Sequence, residues 1–354
     1  MYRNAIVIAT LALVPFLMFS DRTVHEGQRI AMAMLCLVVA SSQLSSWPAR
    51  LLGLYVALRL IADFVLILTG IGQLQFGLDG FGMMMWMLCA AVVCLAASMS
   101  TAPKDTFYTA LCCVGLAQCV LVGLQLIGID LFMSSYNLFT YIPCQSRLSE
   151  AAPVGSLGNP NFVAAYMAIC APFFLRGKWR WALIPLLAAI LACRTSTAVL
   201  ALVCGMAVFF YDRKHIRLYF LAVVAMLSGA ALFLAMDWVS VFNSQRWYFW
   251  MIGTEFIIRN WTAFLFGNGL GAKTGLDFPL HNDWMQLWFH VGAVGVFLAA
   301  WWMVAMLRTR DRILKAAVLI AGINAIGNYP FHLAPSAVLI FSIFGLIERD
   351  RKSS

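Results

Sequence analysis

Three segments of this sequence carry residue types suited to holding an anion and moving a proton. Arg194 stands between two short apolar runs, 181–193 and 195–211, and is followed at once by Thr195-Ser196-Thr197. Two short helices meeting at an arginine cannot both cross a bilayer at full length, so their turn is expected to sink below the membrane surface. A guanidinium there is costly without an anionic partner. Arg246 lies in an aromatic, helix-compatible run from Ser244 to Ile258, and Arg259 and Lys273 add two more cations beyond it. Gly267-Asn268-Gly269-Leu270-Gly271 supplies flexible backbone between them but lacks the strand and the Lys-Ser/Thr of a nucleotide phosphate loop. Cations grouped in this way point to an anionic ligand such as a phosphate or diphosphate, which guanidinium groups hold well. The third segment, His281-Asn282-Asp283, precedes an apolar run that starts at Trp284. Asn282 or Asp283 is placed to cap that helix, and His281 is suited to general-base chemistry because imidazole titrates near neutral pH.

A fourth segment has a different chemistry. In Gly155-Ser156-Leu157-Gly158-Asn159-Pro160-Asn161-Phe162, Asn159 fits an N-cap and Pro160 fits the first helical position. The same feature aims free N–H groups and a positive dipole end at any anion bound there. Other candidates read differently. His290 lies nine residues after His281, half a turn out of phase on a helix, so the two do not make a metal pair, and neither HExxH nor DxD is present. His332, in Asn328-Tyr329-Pro330-Phe331-His332, reads as a turn residue. Arg59 and Asp63 stand four apart and read as a structural ion pair within one helix.

The elements that must position these residues follow from composition. The chain has 354 residues, 63% hydrophobic and 11% charged, with a mean hydropathy of +0.86. Soluble domains are about half apolar and a quarter charged, so an ordinary soluble enzyme is excluded. Apolar runs fall at 4–20, 30–46, 51–70, 81–99, 107–128, 160–175, 181–193, 195–211, 218–236, 284–307, 313–328 and 331–347. The expected fold is therefore an all-α polytopic membrane protein of about twelve transmembrane helices, with both termini inside. That orientation leaves sixteen of the 24 Lys and Arg on the cytoplasmic side, seven outside and Arg59 in the membrane, as the positive-inside rule requires. The net charge of +9 then reports orientation and contact with anionic lipid, and no basic tail points to nucleic acid. The first run lacks a small-x-small cleavage site and is expected to be a retained helix. Nine of the ten cysteines lie in apolar runs and Cys144 in a loop, so no disulfide framework is expected. Long segments at 129–159 and 237–283 face outward, and function is expected on them. Residues 1–150 read as N-terminal transmembrane helices, and 151–354, including the loop 237–283, as the catalytic membrane domain.

Taken in order, these residues resemble the O-antigen ligase and polymerase superfamily of bacterial polytopic membrane glycosyltransferases. The resemblance rests on Gly155 to Asn161 opening a helix, Arg194-Thr195-Ser196 between two short helices, and Arg246 with Trp250 in the large outer loop. It continues through Gly267 to Gly271 and His281-Asn282 before a helix containing Gly292-Ala293-Val294-Gly295. It covers about 155–347. It implies a GT-C-like helical architecture in a bacterial inner membrane, with its site facing the periplasm and no bound metal, nucleotide sugar or other cofactor. The implied donor is a glycan on undecaprenyl diphosphate, and the implied acceptor is lipid A-core or another hydroxyl. Arg194 and Arg246 would hold the diphosphate and stabilise its leaving charge, and His281 would deprotonate or orient the acceptor hydroxyl. Asn159, Asn161, Arg259, Lys273 and Asn282 complete the expected substrate-binding set. Ligation, polymerisation and protein O-oligosaccharide transfer all fit the resemblance. A lipid or solute transporter is the non-enzyme alternative, against which stands the lack of internal two-fold repetition.

Overall fold

The computed structural model describes residues 102–129, 152–211, 246–269, 282–328 and 330–353, with positions 97, 98, 100 and 280. The apolar runs at 4–20, 30–46, 51–70 and 218–236, nearly all of 81–99, and the Arg59–Asp63 pair lie outside the described residues. Every regular element among the described residues is helical: α1 (Lys104–Leu126), α2 (Pro160–Phe174), a 3-10 turn (Gly177–Ala182), α3 (Leu183–Ala192), α4 (Ser196–Phe210), α5 (Arg246–Ile258), α6 (Trp261–Phe266), α7 (Asp283–Leu307), α8 (Arg312–Gly327) and α9 (Ala334–Ser353). Two of these, α1 with 23 residues and α7 with 25, are long and apolar enough to cross a membrane. The expected helix-forming runs in this part of the chain match the helices to within about three residues at their starts.

Local chemistry explains the boundaries. Asn159 has an extended backbone and accepts the N–H of Asn161 at 2.9 Å, with Pro160 at the first helical position of α2. Asn260, Asn282 and Asp311 cap α6, α7 and α8 in the same way. α2 is the central helix, with every residue from Phe162 to Phe174 buried, as expected of a helix apolar all round. It packs against α1, α3, α4 and α8. α4 and α8 pack tightly at Gly205, where a Cβ would collide with the Ile320 side chain; small residues permit such contacts between apolar helices.

α3 and α4 have 10 and 15 residues. At about 1.5 Å per residue they reach roughly 15 and 22 Å, less than the roughly 30 Å of a bilayer core. The short-helix expectation on either side of Arg194 therefore holds.

The helices have two distinct ends. At one, Lys104 pairs with Asp311 at 3.4 Å and with Asp350, and the Tyr108 hydroxyl donates to Asp311 at 2.7 Å. Arg176 pairs with Asp105 at 2.5 Å, and Arg349 donates to the carbonyls of Ser100 and Ala102. At the other end lie the starts of α2, α4, α7 and α9 and the ends of α1 and α8. This second end holds the opening of α2, the Arg194 turn and the start of α7.

Candidate functional site

The backbone leading into α2 is buried without being helical, so its polar groups need partners. Two glutamines seven residues apart on one face of α1 supply them. Gln125 Oε1 accepts the N–H groups of Val154 and Gly155 at 2.9 and 2.8 Å, while its amide donates to the Gly155 carbonyl at 3.0 Å. Gln118 donates to the Ser156 hydroxyl at 2.6 Å and accepts the Ser156 N–H at 3.2 Å. Gly155, at φ 54°, has no room for a Cβ, which would lie 2.7 Å from Gln118 Oε1. The opening of α2 is thus fixed from beneath.

Arg194 ends the α3–α4 turn in an unusual state. It is exposed, and it is the one non-glycine among the described residues with a positive φ, at 52°. This left-handed conformation after a helix normally falls to glycine, because an L side chain there costs about 1–2 kcal/mol. Thr195 stands at the N-cap position of α4, but its hydroxyl makes no cap bond. Instead its single hydrogen is shared between Asn161 Oδ1 and the Cys193 carbonyl, both at 3.2 Å. The bond to Asn161 joins the arginine turn directly to the first turn of α2. Arg194, Asn159 and Asn161 therefore share one corner, with the first N–H groups of α4 beside the guanidinium-bearing residue.

The second half of the site surrounds α7. Asn282 caps it, its Oδ1 accepting the Met285 N–H at 3.1 Å, so the neighbouring Asp283 is released from capping. The Asp283 carboxylate is buried and accepts the Phe331 N–H at 2.8 Å and the imidazole Nδ1 of His332. Asp283 N–H also donates to the Asn328 carbonyl at 3.2 Å. Trp250, one turn beyond Arg246 on α5, donates its indole N–H to the Leu280 carbonyl at 2.9 Å. Arg246 is thereby tied through the helix it opens to the residue next to His281. The side chain of Arg246, and the whole of His281 and Lys273, lie outside the described residues. Arg259 is exposed at the bend between α5 and α6 and forms no ion pair among the described residues. It does not join either half.

α7 is not one straight rod. Gly292, at φ 71° and ψ −177°, breaks it, and a Cβ there would run into the Leu265 carbonyl. The break strips the Phe289 and His290 carbonyls of helical partners. The loop after α6 replaces them: Asn268 N–H donates to Phe289 at 2.8 Å and Gly269 N–H to His290 at 3.1 Å. Gly267 and Gly292 interlock because neither carries a side chain. His290 completes the joint. Its Nδ1 bonds the Gly269 carbonyl at 2.9 Å, and since a carbonyl only accepts, Nδ1 carries the hydrogen. Nε2 then accepts from Gln286 Nε2 at 2.6 Å, and Gln286 Oε1 accepts the Leu280 N–H at 3.1 Å. Both ends of the segment 269–280 are thus pinned to one face of α7.

The two halves meet through the end of α8. Asn328 contacts Asp283, and the adjacent Gly327 faces Thr197 of α4, where a Cβ would approach Thr197 Oγ1 to 2.6 Å. The sequence reading missed three residues that build this arrangement. Asp283 was seen only as an alternative cap, His332 only as a turn residue, and His290 only as a histidine out of register. No periodicity marks any of them; only the capping of α7 by Asn282 could have freed Asp283 for another role. No family model matches the chain, and a comparison with curated proteins also finds no match.

Proposed function

We propose that this chain is a polytopic membrane glycosyltransferase of the O-antigen ligase type, transferring a glycan from undecaprenyl diphosphate to an acceptor hydroxyl, with lipid A-core the acceptor. The proposal includes about twelve membrane crossings, a bacterial inner-membrane location and a site on the periplasmic face. The observation that carries it is the meeting, at one end of the helices, of the α2 opening, the Arg194 turn and the start of α7. These are three of the motifs on which the resemblance rests, and they are spread over more than a hundred residues of the chain.

The chemistry that follows is electrostatic. Arg194, exposed beside the start of α4, whose N-cap residue makes no side-chain cap bond, offers a diphosphate both a guanidinium and a helix dipole. Arg246 supplies a second guanidinium, and together they take up the negative charge that grows as the glycosidic bond breaks. Asn159 and Asn161 serve mainly to hold this corner together, since both side-chain oxygens are engaged within the protein. Asn282 has the same supporting role for the start of α7. His281 deprotonates or orients the acceptor.

The test is to incubate the purified protein in lipid with an undecaprenyl-diphosphate glycan and lipid A-core, with chelator present. A shifted lipopolysaccharide band that disappears with Arg194→Ala and Arg246→Ala supports the assignment. Lengthened lipid-linked chains without that band would move the reading to a polymerase. Transport without either product would replace it with a transporter.

A further inference from the structure

We infer that Asp283 and His332 form a carboxylate–imidazole dyad whose free Nε2 is the proton acceptor of this site. The inference rests on the glycosyl-transfer reading above and assigns within it a group that no motif marks.

Three observations carry it. Asp283 is 5% exposed although Asn282 already caps the helix, so its burial is not explained by capping. Its two oxygens divide their work: Oδ2 accepts the Phe331 N–H, and Oδ1 takes the His332 Nδ1. A carboxylate oxygen accepts, so Nδ1 bears the hydrogen and Nε2 presents a lone pair. That Nε2 has no hydrogen-bond partner among the described residues, and the His332 side chain keeps 17% of its exposure. A carboxylate that fixes the tautomer and stabilises the imidazolium, leaving the distal nitrogen open, is the arrangement a general base requires. The charged and titratable groups around it in the described residues are Asp283 itself and His290, which is within electrostatic reach; α8 contributes only the uncharged Asn328.

The step balances as follows. The acceptor O–H bond breaks and its proton goes to His332 Nε2. The freed electron pair makes the new bond to the anomeric carbon, whose bond to the diphosphate oxygen breaks. That oxygen leaves with the bonding pair, and its charge falls to Arg194 and Arg246. The imidazolium, held against Asp283, then returns its proton to the departing diphosphate or to water. His281, two residues from Asp283, keeps the orienting role.

His332→Asn separates base from brace. An asparagine amide can stand where Nδ1–H stands and keep the bond to Asp283, but it has no counterpart of Nε2. In the transfer assay this variant is expected to fall by about 10²–10⁴-fold, the usual contribution of a general base, at an unchanged melting temperature. Asp283→Asn leaves one accepting oxygen for two N–H donors; its amide, placed against Nδ1, donates there and moves the imidazole hydrogen to Nε2, so the rate should fall by a comparable factor. A His332→Asn protein that transfers at the wild-type rate overturns the dyad and leaves the glycosyl-transfer reading intact. Should the wild type give no product at all, that reading fails and the dyad is decided by diethylpyrocarbonate labelling of the full protein in lipid. Carbethoxylation of His332 that slows several-fold in Asp283→Asn supports it, whereas an unlabelled His332, or equal rates in the two proteins, refutes it.

Discussion

Replacing Arg194 with glycine should separate its charge from its backbone. At φ 52° the arginine sits in a region that costs an L-residue about 1–2 kcal/mol and glycine almost nothing. Glycine in turn loses about 0.5–1 kcal/mol more conformational entropy on folding. The difference leaves Arg194→Gly between neutral and about 1.5 kcal/mol more stable than the wild type. The neighbouring tie from Thr195 to Asn161 is untouched, so the corner keeps its shape. On the proposed function, what is lost is a guanidinium assigned to the diphosphate, and removal of one such charge-stabilising donor typically lowers turnover by about 10²–10³-fold. The variant should therefore melt at or above the wild-type temperature in detergent while transferring glycan about a hundredfold more slowly. Arg194→Lys keeps the strain and the charge but loses the planar fork, and should fall between the two. Full transfer by a well-folded Arg194→Gly protein would remove Arg194 from the site. A drop in melting temperature would show instead that the side chain braces the turn, contrary to its exposure.

Other substitutions test the framework. Gly292→Ala combines a positive φ with a collision against the Leu265 backbone, so it should destabilise by about 2–5 kcal/mol, read as a lowered melting temperature or loss of folded protein on extraction. Gln125→Leu strands the buried N–H of Gly155, at about 1–3 kcal/mol, together with the half-buried N–H of Val154, and should expose the segment before α2 to proteolysis in otherwise folded protein. In a protein freed of its native cysteines, Arg310→Cys and Arg259→Cys should react with impermeant maleimide from opposite sides of the membrane; labelling from one side would refute the proposed orientation.

The parts of this site that the sequence shows are those controlled by short-range chemistry. Asn159 before Pro160 announces a capped helix, and the thirteen-residue run before Arg194 announces a helix too short to span, because capping and bilayer thickness act on neighbouring residues. The hydrogen bonds that join the motifs obey no such local rule. Gln118 and Gln125 sit in an apolar helix as isolated polar residues, and their use becomes visible only when the irregular backbone at 154–156 is laid against them. Gly292 is an ordinary glycine until the loop after α6 is seen to occupy the gap it opens, and His290 cannot be distinguished from a core histidine until Gly269 stands against its Nδ1. Asp283 is the clearest case. Two adjacent residues, Asn282 and Asp283, were equally good caps by composition, and which one caps determines which one is free. Because the asparagine takes the cap, the carboxylate turns to a histidine 49 positions away in the chain. A choice worth about 1 kcal/mol at a helix end thus decides where a buried charge, and the imidazole it orients, is placed.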